Sequence, residues 1–212
     1  FDQVMMRSSD ARQRQLLSPS LTKNKKVFIV GQSWAEDDDV IIPVLLKIQK
    51  NEESLLTIIV PHEPTISHLE ELESKLLDRI SFIRFSEMNN YNDEKVILID
   101  SIGVLVALYQ YADVVYVGGS FRQGIHNILE PAVFDLPVIY GPKHTNSQEA
   151  VDLARLGGGF VIENEKELYR TLRTLLENSA DRERAGRISG DFVREHCGAT
   201  ERFLHYLKPY LN

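Results

Sequence analysis

Val114-Val115-Tyr116-Val117-Gly118-Gly119-Ser120-Phe121-Arg122-Gln123-Gly124-Ile125-His126-Asn127-Ile128-Leu129-Glu130-Pro131 runs from an apolar stretch through a glycine-rich loop into the opening of an amphipathic segment. The β-branched and aromatic run Val114–Val117 is too short for a helix that buries much surface, so it predicts a strand. Gly118 and Gly119 let backbone approach a ligand, and Asn127 suits the N-cap of a helix over Ile128–Phe134. Strand, loop and helix in that order form one unit of a sheet covered by helices.

Outward from this unit the pattern repeats. Strands are predicted at Val27–Val30, Leu55–Val60, Ile80–Arg84, Val96–Ile99, Val138–Tyr140 and Phe160–Ile162, with helices at Asp39–Gln49, Ile66–Leu77, Val104–Tyr111 and Ser147–Arg155. Leu168, Leu172, Leu175 and Leu176 mark one face of a further helix, and two more helices are expected after it. Gly157-Gly158-Gly159 falls where a helix must stop and turn into a strand, a geometric role. The alternation predicts an α/β fold, a doubly wound, Rossmann-like parallel sheet with helices on both faces, whose ligands bind beyond the carboxyl ends of the strands.

The chain has 212 residues, 43% of them hydrophobic, enough for one sizeable core. We expect one domain over 27–212, preceded by a polar lead-in, 1–26, whose helical portions need not pack on the core. The start at Phe1 reads as that of a fragment. A net charge of -7 argues against a nucleic-acid surface, and the single cysteine, Cys197, excludes an internal disulfide and a cysteine zinc site. No apolar run approaches the roughly 20 residues of a membrane helix, so a soluble piece in a reducing compartment is expected.

The loops after the strands carry the candidate chemistry. A helix N-terminus behind Gly118, Gly119, Ser120 and Asn127 offers N–H groups and a dipole to a phosphate, yet Asn127-x-x-Glu130 reads equally as a capping box. Ser33, in Gly31-Gln32-Ser33-Trp34, reaches the same cleft from the opposite wall, and Trp34 either stacks on a ligand or covers the sheet edge. His126 is either an anion contact or a backbone-bonded loop histidine. Arg122 and Lys143 are either cations for an anionic ligand or surface charges. Asp37, Asp38 and Asp39 fit a helix start, where the dipole favours acids, better than a metal site. No Gly-x-Gly-x-x-Gly follows the first strand, which disfavours an NAD-linked dehydrogenase.

Ala112–Ser120 followed by His126-Asn127-Ile128-Leu129-Glu130-Pro131-Ala132 resembles the central donor-site segment of the Kdo (3-deoxy-manno-octulosonate) transferases. Pro137-Val138-Ile139-Tyr140-Gly141-Pro142-Lys143-His144-Thr145-Asn146 resembles that family's next strand and its Gly-Pro-x-x-x-Asn loop. The likeness extends to Val60-Pro61, Ile99-Asp100-Ser101-Ile102-Gly103, the acidic start at Asp37–Asp39 and Phe1-Asp2, and so spans nearly everything from Val27 onward. Departures are local. Where the family has Gly-Gly before His-Asn this chain reads Gly124-Ile125, where many members have an Arg after Val-Pro it has His62, and where they have Gly-Glu-Glu it has Glu36-Asp37-Asp38.

The resemblance implies the C-terminal, donor-binding half of an inverting GT-B glycosyltransferase of lipopolysaccharide synthesis. The family transfers Kdo from CMP-Kdo to a lipid A precursor at the cytoplasmic face of the inner membrane of Gram-negative bacteria; no metal or other cofactor is expected, since a helix N-terminus can stabilise the departing phosphate by itself. Its catalytic base is a carboxylate of the N-terminal domain, through which the lipid acceptor binds. Taken with the reading of the loops, donor contacts are expected at Ser33, Gly118, Gly119, Ser120, His126, Asn127 and Glu130, the last on the ribose hydroxyls as in many GT-B enzymes, and His62, Arg122, Lys143 and Asn146 are the candidates for sugar or phosphate contacts. A UDP-sugar transferase or epimerase domain and a non-catalytic nucleotide-binding module are the alternatives.

Overall fold

The computed structural model describes residues 1–198 and Phe203. In chain order the elements are α1 (Asp2–Arg12), α2 (Pro19–Thr22), β1 (Lys26–Ser33), α3 (Ala35–Gln49), β2 (Leu55–Pro61), α4 (Ile66–Leu76), β3 (Phe82–Arg84), a 3-10 turn (Phe85–Asn90), β4 (Val96–Leu98) and α5 (Leu105–Leu108). A second 3-10 turn (Tyr109–Tyr111) then leads to β5 (Val114–Val117), α6 (Leu129–Ala132), β6 (Val138–Tyr140), α7 (Gln148–Leu156), β7 (Gly159–Val161), α8 (Glu165–Glu177) and α9 (Ser179–His196).

The strands form one parallel sheet in the order β3-β4-β2-β1-β5-β6-β7. From the centre the chain winds through β2 to one edge, then returns to lay β5 beside β1, with Phe28 opposite Val114 and Gly31 opposite Val117. Both strands are covered on both faces, which is why they read as continuous apolar runs rather than alternating ones. One layer packs α1, α5, α6, α7 and α9 against Ile29, Val115 and Val117. The other sets α3, α4 and α8 against Phe28, Val30, Val114 and Tyr116. The connections after β1 and β5 diverge to opposite sides, which makes the carboxyl ends of these two strands the switch point at which sheets of this kind form their ligand crevice.

The expectation that the lead-in need not pack on the core is corrected. Val4, Ser8 and Ala11, spaced i, i+4 and i+7, are buried, as is Leu17. Burying a Val or Leu side chain contributes about 1.5–3 kcal/mol, enough to hold a helix whose other apolar residues, Met5 and Met6, are exposed. The N–H groups of Leu16 and Leu17 both donate to the Tyr111 hydroxyl, at 3.1 and 3.3 Å.

Several boundaries also differ from expectation, and two of them bear on the site. The third helix starts at Ala35 rather than Asp39, because Asp37 sits at its N3 position and accepts from the Trp34 N–H, 3.0 Å away. The helix expected over Ile128–Phe134 is shorter, ending at Ala132 before a turn in which Asp135 takes a left-handed φ of 59°. Gly157, with φ 92°, closes α7 as its C-cap. Of the two helices expected after α8, α9 is present and the other lies outside the described residues.

Candidate functional site

The crevice is walled on one side by the end of β1 and the start of α3, and on the other by the loop from Gly118 to Glu130. Asp37 ties the walls together. Its buried carboxylate accepts from the Trp34 N–H, from the Gly119 N–H at 2.8 Å and from the Tyr116 hydroxyl at 2.7 Å. Burial nevertheless holds its carboxyl above the ordinary value, with the three donors pulling the other way. The sequence placed Asp37 at a helix start but not in this role; its position three residues after the N-cap was the available signal.

The glycines of the loop are dictated by close approach. A Cβ at Gly118 would overlap the Gln32 carbonyl and meet the Ser33 Cα at 2.8 Å. Gly119 has φ 93°, and a Cβ there would stand 2.5 Å from the Gly124 oxygen and 2.7 Å from the His126 ring. These residues pack backbone on backbone, so Ser33 and the His126 ring lie directly beside the two glycines.

Three rings line the crevice. Trp34 stacks on His62 with centroids 4.5 Å apart, and His62 stacks on His126 at 4.4 Å. The Arg122 guanidinium lies over the Trp34 ring, 4.0 Å from its centroid, and its Nε lies 3.7 Å from a Glu36 oxygen. Trp34 Nε1–H, which can only donate, lies 2.9 Å from His126 Nε2. That nitrogen must therefore accept, and the neutral ring carries its proton on Nδ1. Burial, and secondly His62, depress the His126 pKa, which favours the neutral form. The sequence named these residues singly; their stacking comes from three separate loops and has no local signal.

Several polar groups here lack a partner among the described residues. Ser33 Oγ, Gln32 Oε1 and His62 Nδ1 are buried without a hydrogen bond. No acceptor among the described residues meets the N–H groups of Asn127 and Ile128. A buried polar atom left unpaired costs about 1–3 kcal/mol, so a cluster of them beside a crevice marks a place where a ligand can complete the bonding.

The remaining candidates divide. Asn127 is not the N-cap: Ile128 holds that position, and Asn127 Oδ1 accepts from the Leu129 N–H at 3.1 Å. Glu130 does not close the capping box on the Asn127 backbone; the Asn127 side chain favours its ionised form. Its side chain is 12% exposed, and burial raises its carboxyl above the ordinary value while Arg7, 3.9 Å away, pulls it down. A helix as short as Leu129–Ala132 has little macrodipole, so any anion here would be held by individual N–H groups. Ser120 Oγ, fully buried, accepts from the Gly141 N–H at 2.6 Å. Asn146 pairs with both backbone groups of Ile125, at 3.1 and 3.2 Å. Lys143 Nζ donates to the Arg122 carbonyl at 2.8 Å. Asp38 pairs with His68 at 2.7 Å and Asp39 with Lys75 at 2.6 Å. Among the described residues no group of three or more His, Cys, Asp or Glu gathers as a metal site would, and no helix is long and apolar enough to cross a membrane.

No family model matches the chain. A 3-deoxy-D-manno-octulosonic acid transferase of Haemophilus influenzae is 34% identical over 196 residues, taking in 89% of this chain and 45% of that protein. The transferase of the same description from Aquifex aeolicus is 36% identical over 160 residues, 73% of this chain and 43% of its own length. The chain thus spans a little under half the length of these relatives. Among solved structures, the C-terminal CMP-Kdo binding domain of WaaA from Acinetobacter baumannii shares the fold with a TM-score of 0.74. It is 22% identical, over 90% of this chain and 97% of that one.

Proposed function

Because the chain belongs to the family of 3-deoxy-D-manno-octulosonic acid transferases and has the GT-B C-terminal fold, we propose that it is the donor-binding domain of a Kdo transferase and takes CMP-Kdo in the β1/β5 crevice. The observation that carries this reading is the set of open donors on both walls: Ser33 Oγ from β1, and the Asn127 and Ile128 N–H groups from the opposite loop. As the sugar leaves, negative charge grows on the CMP phosphate, and donors already fixed by the fold stabilise it without reorganising. His126, neutral with its proton on Nδ1, adds a further donor on the ring edge opposite the Cδ2–Nε2 edge that faces Gly119. Glu130 accepts from both ribose hydroxyls. This division of labour uses no metal.

The acceptor, a lipid A precursor, and the carboxylate base belong in this proposal to the part of the relatives that the chain does not span. The same holds for any attachment to the cytoplasmic face of the inner membrane. Departure of the sugar with inversion requires the base on the face opposite CMP, which a donor wall cannot supply by itself.

Calorimetric titration of the chain with CMP, UMP and UDP in the presence of a chelator tests the reading. Weak binding that prefers CMP is expected. Silence in chelator that magnesium reverses would defeat the metal-free site, and a preference for UDP would move the chain to the UDP-sugar enzymes.

A further inference from the structure

The first helix brings a cation to the donor-site carboxylate. Through Val4, Ser8 and Ala11 it lies along the layer that holds α5 and α6. Its end is fixed by Arg12, whose guanidinium lies 3.4 Å from the Val133 carbonyl and 4.6 Å above the Phe134 ring. With the helix so anchored, Arg7 Nη1 stands 3.9 Å from Glu130 Oε1. The arginine side chain is 56% exposed, whereas the glutamate is 12% exposed, so the ion pair sits where solvent reaches one partner and hardly the other.

We propose that Arg7 is a positioning residue of the donor site, holding the Glu130 carboxylate as the two-hydroxyl acceptor that a ribose needs. The proposal rests on the reading of Glu130 as the ribose ligand. An ionised carboxylate has two oxygens that accept freely; a protonated one has turned part of that capacity into a donor. Enclosure pushes Glu130 toward the protonated form, and Arg7 opposes it, helped by the Asn127 side chain. The remaining titratable neighbour is the buried Tyr109 hydroxyl from the 3-10 turn after α5, itself pushed well up and so neutral. Arg12 is turned to Val133 and Phe134 and does not face the carboxylate. Without Arg7 the carboxyl therefore titrates at higher pH, and nucleotide affinity is lost earlier as pH falls.

The test is a CMP titration of the chain and its Arg7→Gln and Arg7→Lys variants between roughly pH 5 and pH 8, around and above the ordinary carboxyl range. Arg7→Gln should bind about threefold more weakly at the acidic end, the size of a partly exposed ion pair, with the gap closing toward the alkaline end. Arg7→Lys should recover most of the loss. The titration of CMP itself is common to all profiles and drops out of the comparison. Parallel profiles, or a lysine variant as weak as the glutamine one, would overturn the role of Arg7. Failure of the unaltered chain to bind CMP would instead bring down the donor-site reading and this inference with it, so the two failures are distinguishable. Because the arginine is mostly exposed, the variants should keep the denaturation midpoint, and a shared midpoint assigns any affinity change to the site.

Discussion

The loops after β5 and β6 lie side by side at the carboxyl edge of the sheet, and both supply residues matching the family pattern, yet they use their polar groups in opposite ways. The loop after β6 spends them on its neighbour: the Gly141 N–H on Ser120, Lys143 on the Arg122 carbonyl and Asn146 on Ile125. The loop after β5 accepts this support and leaves its own Asn127 and Ile128 amides open, and Ser33, packed against Gly118 at the loop's start, is unpaired as well. In the proposed reading one loop is scaffold and the other is the surface for the donor. A motif reports that a residue type is needed at a position; only the bonding shows whether the need is for shape or for contact.

The strongest break in this comparison is Gly119→Ala. The residue would carry a side chain at a φ of 93° and press it against Gly124 and the His126 ring. Strain and overlap together should cost about 2–4 kcal/mol of stability, read as a lower denaturant midpoint, and CMP binding should vanish with the loop geometry. A stable variant that still binds CMP would mean that the loop can relax and that its shape is not what the site requires.

Asn146→Ala attacks the scaffold from the other side. It removes two bonds to the Ile125 backbone, although the Ile125 N–H keeps the Lys143 carbonyl at 3.1 Å. A loss of about 1–2 kcal/mol is expected, with weaker CMP binding as a consequence of the looser loop. An unaltered midpoint with lost CMP affinity would reverse the assignment and make Asn146 a ligand contact.

What the sequence made legible follows from the same distinction. Val114–Val117 and Val138–Tyr140 were located to the residue because strands buried on both faces leave no polar position to blur them. Boundaries set by capping were less visible: Asp37–Asp39 read as the start of a helix whose first residue is Ala35. The packing of α1 was missed because its apolar face consists of Val4 and Ala11 with a serine between them, a spacing that becomes meaningful once Arg7 is found beside Glu130. In the site, the residue types were legible through resemblance. The stack of Trp34, His62 and His126 was not, since rings from three loops meet only after the sheet is assembled.

Glu130→Gln sharpens the comparison within the loop after β5. The Glu130 carboxyl is held above its ordinary value by burial, so the native state gains from the protonated form at low pH and loses that gain as pH rises through the raised value. At neutral pH the ionised side chain is thus a modest burden on stability. Glutamine removes it, and the melting temperature should stay level or rise slightly. CMP affinity should fall at least about fivefold, about 1 kcal/mol, because an amide offers one acceptor where two hydroxyls need acceptors. Equal affinity in the folded variant would return Glu130 to a purely local role beside Asn127.

The smallest effect is expected at Lys143, where the scaffold reading makes its most exposed claim. Its ammonium bonds the Arg122 carbonyl at 2.8 Å and approaches that of Phe121 at 3.4 Å, both in the turn of the neighbouring loop. An ammonium has three donors, so this bonding leaves room for an anion as well. Lys143→Met keeps most of the aliphatic stem and deletes the charge. If the lysine is scaffold, the turn is also held by the Lys143 N–H on the Ser120 carbonyl, which the substitution spares. Stability should then change by no more than about 0.5 kcal/mol and affinity for CMP by less than about twofold. CMP-Kdo discriminates further, because it adds a sugar carboxylate that CMP lacks. Scaffold Lys143 predicts that the ratio of CMP-Kdo to CMP affinity, and its dependence on salt, are the same in the variant as in the unaltered chain. A ratio that falls about tenfold, together with a flatter salt dependence, would place the ammonium on the sugar carboxylate and give the loop after β6 a contact with the donor.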